Sequence, residues 1–435
     1  MAPKEPSADP AGYPTLFWIH GGAFEQGQGN CALYNGTTFA SQGVITVVIN
    51  YRLGALGFLA SPSMKGNYGL LDQRMAMQWT QDNIAAFGGN PKRVTIGGQS
   101  AGAMSVGSHA ISPGSQGLFA QGIMESNPLG MPYHTRESAG ANAASVFEWV
   151  GCTADDVACM KTKTVDAILD AQNHAIKLNP KTLFINFLPF APMVEAGGEL
   201  PEQPMDAMAQ GKMSEVPMLA GSMYDEGQLF VFELFTVPLP SKAYYATLDT
   251  VFGRYAKTIK EFYPMEIVPG STDGRDAFNV LATDLLFYCP LRNMTRGYQT
   301  TGINVPTYIY RFKHIISFDC WGPAYTFCVG KVCHGSELPF VFNVFTDGVS
   351  LYYNPTADEK TLATDLGNTW TNFIVSGNPN YVATTKGTFP IPQTYPLYVS
   401  SVDELVVLDE PGYFNDANVR DSFCDMWDSM PSYFW

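Results

Sequence analysis

No run of about 18 consecutive apolar residues occurs in this chain of 435 residues, so no segment reads as a bilayer-spanning helix. Proline or charge breaks each of the longer apolar stretches. Basic residues are scarce, with 25 Lys and Arg against 40 Asp and Glu and a formal net charge of −15. That balance disfavours nucleic acid and anionic membrane as partners. Low-complexity linkers, internal repeats and charge blocks are also missing, so a single domain over 1–435 is expected. The Pro-rich, polar start Met1–Pro10 has no apolar core of a signal peptide. No paired Cys-x-x-Cys is present, and Gly27-Gln28-Gly29 lacks the third glycine of a dinucleotide site. No metal or organic cofactor is therefore expected.

What is present is chemistry of another kind. Ser100 sits in Gly98-Gln99-Ser100-Ala101-Gly102, after the β-branched run Val94-Thr95-Ile96 and before the small-residue stretch Ala101–His109. Strand, sharp turn and helix around Gly-x-Ser-x-Gly form a nucleophile elbow, which presents the serine hydroxyl at a helix N-terminus. A glycine-rich βα turn without chemistry is the bland reading of the pentapeptide alone. A second motif counts against it. The apolar run Thr15–Ile19 reads as a buried strand and ends in His20-Gly21-Gly22-Ala23-Phe24. Acyl transfer through serine develops an oxyanion, and small residues at a strand end offer fixed backbone N–H donors to it.

These motifs resemble type-B carboxylesterases, the family of cholinesterases and several fungal lipases. Asn50-Tyr51-Arg52-Leu53-Gly54, Gly69-Leu70-Leu71-Asp72-Gln73, Phe87-Gly88-Gly89-Asn90-Pro91, Asp225-Glu226-Gly227, Cys333-His334-Gly335 and Cys424-Asp425-Met426-Trp427 continue the match over nearly the whole chain. The wording Met124-Glu125-Ser126-Asn127-Pro128 looks most like fungal members. The resemblance implies an α/β-hydrolase fold, with a mostly parallel sheet between helices. It also implies oxyanion donors at Gly22, Ala23 and Ala101.

Serine needs a base and the base an orienting carboxylate, in the chain order Ser, acid, His. Of the six histidines, His20 and His109 adjoin the glycine motifs and read as packing residues, and His134, His174 and His314 carry no signature. His334 matches the family's His-Gly-x-Glu loop and is placed as the base. The family's Asp-Glu-Gly motif, after the expected strand Val216–Gly221, implies Glu226 as the acid. Asp225 is the runner-up and Glu337 a third candidate, although three residues from His334 it is expected to cap or pair locally.

Three departures stand out. Gln99 replaces the glutamate that many relatives carry before the nucleophile, and Ala23 replaces a glycine. The N-terminal stretch of the family is missing, so the chain reads as N-terminally truncated, through a partial gene, an alternative start or trimming. Without it, Val44–Ile49 would be an unprotected sheet edge that Met1–Pro14 covers poorly.

Eight cysteines point to an oxidising compartment. The resemblance implies bridges Cys152–Cys159 and Cys289–Cys424. Cys328 and Cys333 are expected to close a small loop beside His334, since a metal reading of that cluster lacks a fourth ligand. Cys31 and Cys320 are left unassigned. Asn35-Gly36-Thr37 and Asn293-Met294-Thr295 are glycosylation sequons that fit secretion. The expectation is a serine carboxylic-ester hydrolase acting on a small-molecule ester. The alternatives are a non-catalytic adhesion or scaffold relative and a biosynthetic acyl-transfer or lactone-opening enzyme with the same triad.

Overall fold

Among the described residues ten segments form strands, most of them short apolar or β-branched runs: β1 Tyr13–Ile19, β2 Ile45–Val48, β3 Gly89–Gln99, β4 Gln121–Glu125, β5 His134–Thr135, β6 Met193–Val194, β7 Met218–Met223, β8 Thr307–Phe312, β9 Glu404–Leu408 and β10 Phe414–Ala417. The computed structural model describes residues 1–178, 183–303, 305–345, 353–381, 389–409 and 412–431. Eight strands make one sheet in the order β10-β9-β8-β7-β4-β3-β1-β2, and β5 and β6 pair separately. Every neighbouring pair in the large sheet is parallel except β9 and β10. This is the mostly parallel, helix-flanked sheet of an α/β-hydrolase.

A parallel sheet is covered on both faces, so its strands are apolar on both sides. Alternation along β1 shows this: Phe17 and Ile19 enter one core, Leu16 and Trp18 the other. The helix Ala101–Ile111 packs into the first core through Met104, Val106 and Ile111. On the opposite face, Ala357–Ser376 buries Leu362, Leu366, Trp370 and Phe373. That helix starts at a reciprocal cap between Thr356 and Glu359 and stops at Gly377 in the left-handed region.

Glycine is required where this packing is closest. A Cβ on Gly102 would lie 2.0 Å from the Ile19 carbonyl oxygen, and one on Gly98 would lie 2.5 Å from Gly102. The helix after Ser100 therefore rests directly on β1 and β3, which fixes the elbow.

Two expectations shift. The strand expected at Val216–Gly221 starts at Met218 and runs to Met223. Pro217 has no N–H for the ladder, although its carbonyl accepts from Gly122 N at 3.0 Å. The edge at β2 is also not bare. Thr46 N donates to Met1 O at 2.8 Å, and the Met1 amine donates to Thr46 O at 2.7 Å. The segment expected to cover this edge poorly thus supplies one backbone pair.

Candidate active site

The carboxyl ends of β1, β3, β4 and β7 converge, where open α/β sheets place their functional groups. Ser100 follows β3 with φ 59° and ψ −124°, a strained position for a residue with a side chain. The helix it precedes aims its first N–H groups and positive dipole end at the hydroxyl. After β1, the backbone takes positive φ at Gly22 (111°), Ala23 (56°) and Phe24 (61°) in succession. A Cβ at Gly22 would come within 2.1 Å of the Gln26 carbonyl oxygen, so only glycine closes this loop. Among the described residues, no acceptor is placed on the N–H of Gly22, Ala23 or Ala101. Ala23, Ser100 and Ala101 line one cavity of about 30 Å³, together with Met104, Phe187 and Phe230.

Glu226 opens the helix that follows β7 and is fully buried. Its Oε1 accepts from Met223 N at 2.8 Å, which leaves Oε2 to accept from His334 Nδ1 at 2.6 Å. The other ring nitrogen, Nε2, accepts from Gln99 Nε2 at 3.2 Å. With Nδ1 donating and Nε2 accepting, the imidazole is the tautomer that can take a proton at Nε2. Among the described residues no hydrogen bond joins Ser100 to His334; the Gln99 amide occupies that nitrogen instead. Phe230 and Phe287 pack on the imidazole at 4.9 and 5.3 Å between centroids and wall it from water.

Asp225 does other work. Its Oδ1 accepts from Asn279 Nδ2 at 2.8 Å and its Oδ2 from Val332 N at 3.1 Å, while Asp225 N donates to Val332 O at 3.1 Å. It braces the loop that carries His334 and is not brought to the ring. Cys328 and Cys333 form a disulfide in the same loop, so their thiolates are not available to a metal. Cys152–Cys159 and Cys289–Cys424 are also bridged, as the resemblance implied, and Cys31 and Cys320 are unpaired.

The other histidines are held structurally. His20 stacks on Tyr51 at 4.6 Å, and burial lowers its pKa. His109 bonds Ser115 and Gln73, and burial pushes its pKa down to about 3. His134 joins Ser138 and the Leu188 carbonyl, His314 faces Glu359, and His174 faces Asp170 near the surface. Asn35 lies in a turn, where its Oδ1 accepts from Thr37 N. Asn293 sits on the helix Cys289–Thr300 and donates to Asp428 at 3.0 Å.

Close to the Glu226 carboxylate lie two more buried acids, Glu337 and Glu125, the second of which the sequence did not single out as a site residue. Glu125 at the end of β4 accepts from Trp370 Nε1 at 2.6 Å, but its Oε2 has no partner among the described residues. Glu337 is fully buried, and among the described residues neither carboxylate oxygen has a hydrogen-bond partner, where a local cap or pair was expected. The Ser126, Ser222 and Ser336 hydroxyls are likewise buried and without a partner among the described residues. Burial without a cation raises the pKa of both Glu125 and Glu337 above the ordinary carboxylate value of 4.5. Each therefore holds its proton in the folded protein at a pH where the unfolded chain has lost it.

That raises a stability dependence with a definite sign. Above pH 4.5 the unfolded state binds fewer protons than the native state, so stability falls as pH rises. Glu125→Gln keeps an acceptor for Trp370 and removes one such proton. The variant is expected to gain on the parent protein by up to ~1.4 kcal/mol per pH unit across the mildly acidic to neutral range. Denaturant midpoints from pH 5 to 8 check this, and parallel pH profiles would refute it.

An elbow serine on a mostly parallel sheet, with a glycine loop beside it, defines the α/β-hydrolase class. The carboxylesterase family profile matches residues 1–424, and the chain belongs to this family. It is 35% identical to the Crystal protein of Dictyostelium discoideum, over 96% of this chain and 74% of that protein. It is 32% identical to an acetylcholinesterase of Bungarus fasciatus, over 97% of this chain and 70% of that enzyme. Its fold matches a solved PNB esterase with a TM-score of 0.78 and 31% identity, covering 98% of this chain and 83% of that one. By family and relatives the chain is a carboxylic ester hydrolase.

Proposed function

We propose that the chain hydrolyses a small-molecule carboxylic ester through an acyl-enzyme on Ser100. The observation that carries this reading is the His334 imidazole, held at Nδ1 by Glu226 and facing the Gln99 amide at Nε2 beside the elbow. Ser100 Oγ adds to the carbonyl carbon while Nε2 takes its proton. The N–H groups of Gly22, Ala23 and Ala101 hold the oxyanion, and the imidazolium returns the proton to the departing alcohol. Water then repeats the sequence and frees the acid. Attack requires the Gln99 amide to leave Nε2, because its NH₂ cannot accept the imidazolium proton.

The test is labelling by an organophosphate or sulfonyl fluoride. One adduct, on Ser100, is expected; esterase activity that survives full modification would place the chemistry elsewhere. An unreactive Ser100 with no ester turnover would favour the scaffold reading, which the Crystal protein relative keeps in view. Product analysis with added alcohols separates hydrolysis from acyl transfer.

The three disulfides are consistent with an extracellular protein. Within that reading Asn35 is the better glycan acceptor, because a glycan on Asn293 would break its bond to Asp428. Peptide mapping of secreted protein is expected to find a glycan on Asn35 alone; occupancy of Asn293 would contradict it.

A further inference from the structure

Arg311 stands next to last in β8 and is only 6% exposed, yet no carboxylate meets it. Among the described residues its guanidinium makes no hydrogen bond and no ion pair, and its Nε is fully enclosed without a partner. Arg292, enclosed to a similar degree, is met by Asp421, Asp425 and Asp428 at 3.1, 2.6 and 2.7 Å. A chain with 40 acidic residues thus leaves this one guanidinium without an acid. What covers it is aromatic: its carbon lies 4.4 Å from the Tyr224 ring centroid and 4.9 Å from that of Tyr288. The rings attract the charge, but they leave its five N–H donors without an oxygen to bond. An enclosed charge in that state is costly unless a ligand completes it.

A second unsatisfied group stands beside the first. In the parallel pair β7 and β8, Ser222 lies opposite Arg311 as Ala220 lies opposite Ile309. Ala220 and Ile309 both enter the core that holds the helix Ala101–Ile111. Two residues further on, Ser222 and Arg311 therefore share that same face of the sheet. The Ser222 hydroxyl is buried and has no partner among the described residues. Tyr224 is 47% exposed, so one side chain separates the pair from water. Arg311, Ser222, Tyr224 and Tyr288 are all absent from the lining of the cavity at Ser100. We infer that Arg311 and Ser222 form a separate anion site, which takes the carboxylate of a small organic acid entering past Tyr224. The guanidinium fork matches a planar carboxylate with two parallel hydrogen bonds, and the Ser222 hydroxyl donates to one of its oxygens. One guanidinium balances one negative charge, and the chain's net charge of −15 opposes a second, so a monocarboxylate fits where a phosphate dianion does not.

The experiment titrates the wild-type protein with sodium acetate, followed by calorimetry and thermal unfolding, while sodium chloride is withdrawn to hold the ionic strength constant. Saturable acetate binding is expected, with Tm rising as the site fills. Arg311→Met keeps the apolar stem beneath the rings and is expected to abolish the binding. Arg311→Lys keeps the charge but loses the fork, and with it one charge-assisted hydrogen bond, so it should weaken acetate about tenfold. Ser222→Ala loses a neutral hydrogen bond and should weaken it about fivefold. Acetate that acts on the wild type no differently from chloride overturns the inference. So does an affinity that Arg311→Lys and Ser222→Ala leave unchanged, which would place the acetate elsewhere, whether or not Arg311→Met folds. Saturable binding of inorganic phosphate in place of acetate overturns the assignment to a carboxylate.

Discussion

Ser100→Ala is expected to lower kcat for ester hydrolysis by about 10⁴- to 10⁶-fold, the range seen when a triad serine is removed. On the proposed mechanism the loss is large because the hydroxyl forms the acyl bond. KM should change little, since the apolar lining and the proposed oxyanion donors stay where they are. The fold should survive as well. Alanine and serine carry the same Cβ, so both bear the strain of φ 59° equally, and only glycine would relax it. Ser100 Oγ has no hydrogen bond among the described residues to lose. Burst kinetics and thermal unfolding of the two proteins check this. A variant that retains more than about a hundredth of the activity would mean that water is activated by another route.

How much of this was legible beforehand depends on how local each signal is. The strand, turn and helix at Ser100 and the glycine loop after β1 could be read because glycine, serine and a preceding apolar run lie within a few residues of one another. Their backbone strain is itself local, as at Gly22 and Ser100. The carboxylate that reaches His334 was harder to read. Forty acidic residues offered candidates, and adjacent Asp225 and Glu226 differ only in which way each faces after β7. That is set by contacts from far along the chain: Asn279 and Val332 take up Asp225, whereas Met223 and His334 take up Glu226.

The meeting of Gln99 with the His334 ring spans 235 positions, and nothing near either residue announces it. The sequence showed only that a charge usual beside the nucleophile was missing. Glu125 was invisible for the opposite reason. A glutamate at a strand end normally reads as a solvated group, and its burial follows from Trp370 on a helix across the sheet. Cysteine pairing was legible because the resemblance supplied the long-range partner of Cys289, which spacing alone leaves open.

Glu226→Gln is expected to cost about 10⁴-fold in kcat with little change in KM, as when a triad acid is replaced by its amide. The amide is nearly the same size, so the loss comes from hydrogen-bond direction and charge. If the Gln oxygen keeps the Met223 N–H, its NH₂ must face Nδ1, where the carboxylate now accepts. The ring can then satisfy that NH₂ only by moving its proton to Nε2, and a protonated Nε2 cannot take the serine proton. The positive charge formed in the transition state also loses the anion opposite it. Asp225→Asn should be milder. Its Oδ1 and Oδ2 accept from a side-chain amide and a backbone N–H, and asparagine can keep one of these bonds. The remaining change loosens the Val332–His334 loop, and a displacement of about 1 Å there would cost about 10²-fold. Steady-state kinetics on both variants decide between the two carboxylates. If asparagine at 225 proved far costlier than glutamine at 226, Asp225 would be the orienting acid and Glu226 a structural bond to Met223.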